Sequence, residues 1–130
     1  MTKLNISIFL LTGIISMSFT IDPTWDVVSR AFKEGNADAI ANYMDSSVDV
    51  NILGEEKTLA KAQAVQALKS FFIKNKAKGF TQIHQGSSKA KESCYYIGEL
   101  DSFSGKFRVY IYFKGAGSSQ LIKEIRIDKV

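Results

Sequence analysis

Residues 106–114 read Lys-Phe-Arg-Val-Tyr-Ile-Tyr-Phe-Lys, and this stretch decides the fold class. Its odd positions, Phe107, Val109, Ile111 and Phe113, are purely apolar, while its even positions, Arg108, Tyr110, Tyr112 and Lys114, are amphipathic. A period of two in aromatic and β-branched residues predicts a strand. One side of it is dry and the other meets water or a partner, as expected of a central antiparallel strand.

Outward from this strand, residues 80–85, 92–100 and 120–128 predict three more strands of one meander. The loops over 86–91, 101–105 and 115–119 carry the Gly and Ser that turns require. Pairing the last two strands about Gly117 places Val109 opposite Ile125, Phe107 opposite Ile127, Phe113 opposite Leu121 and Arg108 opposite Arg126. The same counting across 101–105 sends Tyr95, Ile97 and Glu99 to the dry side, joined by Ile83. Tyr96, Cys94, His84 and Ile122 then share the other face with Tyr110 and Tyr112. One bulge or a one-residue slip inverts such assignments.

Upstream, Asp22 and Pro23 predict a helix start, with Asp as the cap and Pro at the first helical position. Trp25, Val28 and Phe32 give that helix a buried stripe, and Gly35 ends it. Asn36 caps a second, short helix with Ile40, Ala41 and Met44 inward and Tyr43 beside them. A turn over 45–47 leads to a strand over 48–52, which alternates cleanly. A hairpin tip over 54–56 returns through a brief strand over 57–59. The third helix spans 61–75, with Val65, Leu68, Phe71 and Phe72 apolar. Ala60 stands where a Ser or Thr cap is expected.

Two helices, a hairpin, a third helix and an antiparallel meander make an α+β domain. A curved, mostly antiparallel sheet wrapped around its helices forms a cone. In this order of elements the chain resembles the nuclear-transport-factor-2-like superfamily, the cystatin-like α+β cone. The residues that carry the resemblance are 32–44 leading into 48–52, together with 61–72 and 106–114. Within the superfamily it is most similar to a domain-of-unknown-function family of secreted bacterial proteins, over about 22–130. The resemblance implies a fold and favours a homodimer; it names no chemistry.

The chain has 130 residues, 45% hydrophobic and 23% charged, enough for one domain that folds without metal or disulfide. Its net charge of +4 is too small to argue for nucleic acid without a focused patch. Lys74, Lys76, Lys78, Lys89 and Lys91 are close in sequence and are read as a solvated rim or an anion-binding patch. One Cys excludes an internal disulfide, and one His without neighbouring ligands makes no metal site. No cofactor is expected.

Lys3 precedes an uncharged run over 4–21 whose apolar heart is 6–15, followed by small residues at 16–18. This predicts a signal peptide over 1–20, cut near Ser18 to Thr20, ahead of a single domain over 21–130 in a periplasmic or secreted protein. The alternative is a retained membrane anchor.

Two functions follow. The first is an exported, non-enzymatic binding or interaction module with a small apolar cone, lined by Trp25, Phe32, Tyr43, Phe72, Val109, Ile111, Phe113 and Ile125. Such a lining suits a small apolar ligand or simply fills the core. The alternative is a small lyase- or isomerase-like enzyme using Tyr95 and Glu99 as an acid–base pair. Separately, Tyr96, Arg108, Tyr110, Tyr112, Glu124 and Arg126 predict a two-fold dimer face, because Tyr and Arg are enriched where proteins meet.

Overall fold

The computed structural model describes residues 23–89, 92–115 and 117–130. The signal peptide expected over 1–20, the Asp22 cap and Lys91 lie outside the described residues.

Helix α1 (Pro23–Glu34) buries Trp25, Val28, Ala31 and Phe32, the stripe that the spacing predicts. Gly35 ends it at φ 67°, a left-handed turn that a side chain resists. The Asn36 side chain accepts the Ala39 N–H at 3.1 Å and so starts the short α2 (Ala37–Ala41). Strand β1 (Met44–Ile52) begins earlier than expected: residues 45–47 are strand rather than turn, and Met44 heads the strand rather than ending the helix. The irregularity is a bulge, since the pairing with β6 (Leu121–Lys129) jumps from Met44 opposite Ile122 to Asp49 opposite Glu124. Lys123 Nζ reaches Asp45 Oδ2 at 2.9 Å across this bulge. That hydrogen bond, with the Ser46 N–H, holds the Asp45 carboxyl below its usual range.

The hairpin from β1 to β2 (Glu55–Ala60) turns at Leu53 and Gly54, with φ of 53° and 91°. Helix α3 (Lys61–Lys74) then buries Ala64, Val65, Leu68, Phe71 and Phe72. Ala60 offers it no side-chain cap. Strands β3 (Ala77–Ser87), β4 (Ser93–Ser102) and β5 (Gly105–Lys114) complete a six-stranded sheet in the order β2-β1-β6-β5-β4-β3. Every neighbouring pair is antiparallel except β1 with β6. All three helices pack on one side of this curved sheet, and α3 bridges β1 and β2 while α1 lies along β3. The architecture is the α+β cone that the order of elements predicts.

Three registers differ from the expected ones. Ile125 faces Ile111 and Ile127 faces Val109, two residues from the expected pairing, so the parity survives and Arg108 meets Asp128 instead of Arg126. A bulge between Tyr112 and Phe113 brings Ile122 opposite Phe113 and into the core, although it was expected outside. Between β4 and β5 the loop is only Phe103 and Ser104, because Ser102 pairs with Gly105. Moving the register by one residue turns over every side chain of β4. Tyr96, Gly98, Leu100 and Ser102 therefore point inward, while Tyr95, Ile97 and Glu99 point outward.

Candidate interaction face

The inner face carries the core. Phe32, Val109, Ile111, Phe113 and Ile125 have no exposed surface, Trp25 and Phe72 are buried, and Tyr43 packs half-buried against the same core. Phe32 contacts Phe72 edge-to-face at 5.8 Å and Phe80 at 5.4 Å. The residues expected to line a pocket thus pack against one another in the core. Two clefts open between α3 and the β1–β2 hairpin. One holds about 420 Å³ beside Ile52, Leu53, Ala67, Phe71 and Lys74. The other holds about 250 Å³ beside Val50, Leu59 and Gln63.

Trp25 ties α1 to the sheet. Its ring stacks on Tyr96 at 4.2 Å with planes 7° apart, and its Nε1–H donates to Gln82 Oε1 at 2.6 Å. Tyr96, expected on the partner face, is therefore a core residue. Cys94 also turns inward, packs against the core and accepts from Gln120 Nε2 at 2.9 Å.

The outer face is built in rows across the sheet. One row runs Thr58, Asp49, Glu124, Tyr112, Tyr95 and Gly86. The next runs Glu56, Asn51, Arg126, Tyr110, Ile97 and His84, and a third holds Asp128, Arg108, Glu99 and Thr81. Tyr95 stacks on Tyr110 at 5.6 Å with planes 11° apart, and its hydroxyl lies 3.2 Å from His84 Nε2. Gly86 makes room for this: a Cβ there would fall 2.5 Å from the Tyr95 ring. Tyr95, Ile97, Tyr110 and Tyr112 form an aromatic and aliphatic centre on this face.

Charge surrounds that centre. Arg126 Nε donates to Asp128 Oδ2 at 2.8 Å, and Arg108 lies between Asp128 and Glu99. The repulsive arginine pair expected from the sequence does not form. Glu99 instead makes an ion pair with Lys106 at 3.5 Å. Tyr95 and Glu99 share a face but stand four residues apart on one strand, about 13 Å at the ordinary strand rise. The structure does not bring them together as an acid–base pair.

Of the predicted partner face, Arg108, Tyr110, Tyr112, Glu124 and Arg126 do share the outer surface. Sequence reasoning missed Tyr95 and Ile97 there. The signal was available: Glu99 and Asp101 have the same parity as Tyr95, and two charges on one side of a strand argue for solvent. The lysines divide, with Lys74, Lys76 and Lys78 near the start of β3 and Lys89 beyond its far end. No group of metal-ligating side chains occurs among the described residues.

This architecture is that of a nuclear-transport-factor-2-like domain. A designed NTF2 protein described as having a long sheet matches with TM-score 0.65 at 13% identity, covering 80% of this chain and 95% of its own. More specifically, residues 25–128 match the model of a domain of unknown function, DUF4783, and the chain belongs to that family. A DUF4783 protein from Bacteroides ovatus is 38% identical with TM-score 0.75, over 80% of this chain and 93% of that one. A second, from Bacteroides fragilis, is 33% identical with the same TM-score, over 80% and 96%. No curated protein matches the chain.

Proposed function

We propose that the chain is an exported, non-enzymatic interaction module whose working surface is the outer face of the sheet, with a second copy of itself as the partner. One observation carries the reading: Tyr95, Ile97, Tyr110 and Tyr112 cluster, with Tyr95 stacked on Tyr110, on the sheet face opposite the helices. Burying rigid aromatics is worth more to an interface than to a solvated sheet, which is ordinarily surfaced with Thr, Lys and Glu. The mixed charges around the centre suit a two-fold contact, in which Arg108 and Arg126 of one copy meet Glu124 and Glu99 of the other. The apolar run over 4–21 supports export.

The test is sedimentation of residues 23–130 across micromolar concentrations. The wild-type domain is expected to dimerise. Each central Tyr is worth about 2 kcal/mol at an interface and both copies carry the changes, so Tyr110→Asp with Tyr112→Asp removes four such side chains and is expected to weaken dimerisation by well over a thousandfold. The double variant remains folded, because both side chains lie outside the core. A wild-type domain that stays monomeric at high micromolar concentration would falsify the reading.

A further inference from the structure

A second surface lies at one end of the sheet. Three backbone hydrogen bonds gather the segments there: Leu53 N–H to Ile127 O, Phe103 N–H to Lys76 O, and Val130 N–H to Lys106 O, at 2.9, 3.0 and 3.0 Å. Three of the most exposed large apolar residues among those described lie at this end: Ile73 at 83%, Phe103 at 71% and Leu53 at 53%.

Two of them occupy positions that turn chemistry would fill otherwise. Leu53 holds the first turn position of its hairpin at φ 53°, where Asn or Gly is favoured and an ordinary side chain is strained. Phe103 holds the first position of the β4–β5 turn, which is fixed by a knot of polar contacts. Ser102 Oγ donates to Gly105 O at 2.6 Å and accepts the Ser104 N–H at 3.2 Å, while Ser104 Oγ donates to Asn75 Oδ1 at 2.5 Å. Ser102 is itself buried. An exposed aromatic is thus held out on a rigid support.

Two lysine ammonium groups stand beside Phe103. The ammonium groups of Lys76 and Lys78 lie 5.8 and 5.1 Å from its ring centroid. Lys74 ends α3, and Lys106 and Lys129 flank the strand ends. The acids at this end are Glu55, Glu56, Asp101, Glu99, which pairs with Lys106, and Asp128, which pairs with Arg126, so the excess of lysine is local to the Phe103 ring.

We propose that this end of the domain is a membrane-surface site, in which Phe103 inserts at the headgroup boundary of an anionic bilayer while Lys74, Lys76 and Lys78 bind lipid phosphates. The apolar tips project from separate segments, and a fluid bilayer accepts each independently, whereas a protein partner must match them as one rigid surface. Lysine stems lie along apolar surface while their ammonium groups reach for phosphate. Basic residues at a membrane surface and an apolar wedge reinforce one another, and either alone binds weakly.

The experiment is co-sedimentation of residues 23–130 with vesicles of phosphatidylglycerol in phosphatidylcholine, against phosphatidylcholine alone, at low and physiological salt. Binding is expected to the anionic vesicles only and to weaken with salt. Phe103→Ser is expected to lower partitioning about tenfold, and Lys76→Gln with Lys78→Gln about tenfold to thirtyfold. Circular dichroism checks that these exposed changes leave the fold intact. Tyr110→Asp with Tyr112→Asp lies on the other surface and should still bind, which separates this proposal from the dimer. Equal binding to neutral vesicles, no binding to anionic ones, or binding indifferent to Phe103 overturns it. So does retention by soluble polyglutamate that matches the vesicles, because an acidic protein is then the better occupant.

Discussion

Gly98 shows how much a single residue decides here. It sits in the buried row of β4, and the Phe80 ring from the edge strand lies over it where a Cβ would be. Phe80 has nowhere to go, because it stacks on Phe32 and meets Trp25 edge-on at 5.9 Å. Gly98→Ala is therefore expected to destabilise the domain by about 1–3 kcal/mol, read from urea unfolding. In a Phe80→Ala background the same Gly98→Ala change should cost much less, because the ring it clashes with is gone. Gly86 plays the corresponding part on the outer face beneath Tyr95. Neither partner was readable from sequence, since each lies on a neighbouring strand and depends on a register that sequence left open.

At the scale of elements, the helices and strands follow local chemistry closely. The α1 stripe, the Asn36 cap and the alternation of β5 form what their residues predict. Helix α3 is the exception, because it starts without a side-chain cap. Ala60 has φ −63° and ψ 153°, the extended backbone of an N-cap residue. Ala60→Ser places an acceptor there without backbone strain and is expected to stabilise by about 1 kcal/mol, seen as a raised midpoint in urea. Packing of Leu68, Phe71 and Phe72 holds the helix in the absence of the cap, an instance of tertiary burial outweighing local propensity.

At the scale of the whole molecule, the helical layer and the sheet share one core, and Trp25 is the chain's sole tryptophan. Its stacking on Tyr96 makes its fluorescence a report on α1 docking. Unfolding followed by Trp25 emission and by far-ultraviolet circular dichroism is expected to superimpose, as for a single cooperative unit. An earlier fluorescence transition would mean that α1 leaves the sheet before the rest unfolds. The sequence by itself determined the fold class, the elements and the dry side of β5, because periodicity and turn residues are local properties that the chain carries without its partners. Tertiary structure decided which side of β4 is buried, and so placed Tyr96 in the core and Tyr95 and Glu99 outside. It also brought Leu53, Ile73 and Phe103 to one end. Those outcomes turn on a two-residue loop and on bulges, where a shift of one residue inverts a strand, and only packing against the helices selects between the two inversions.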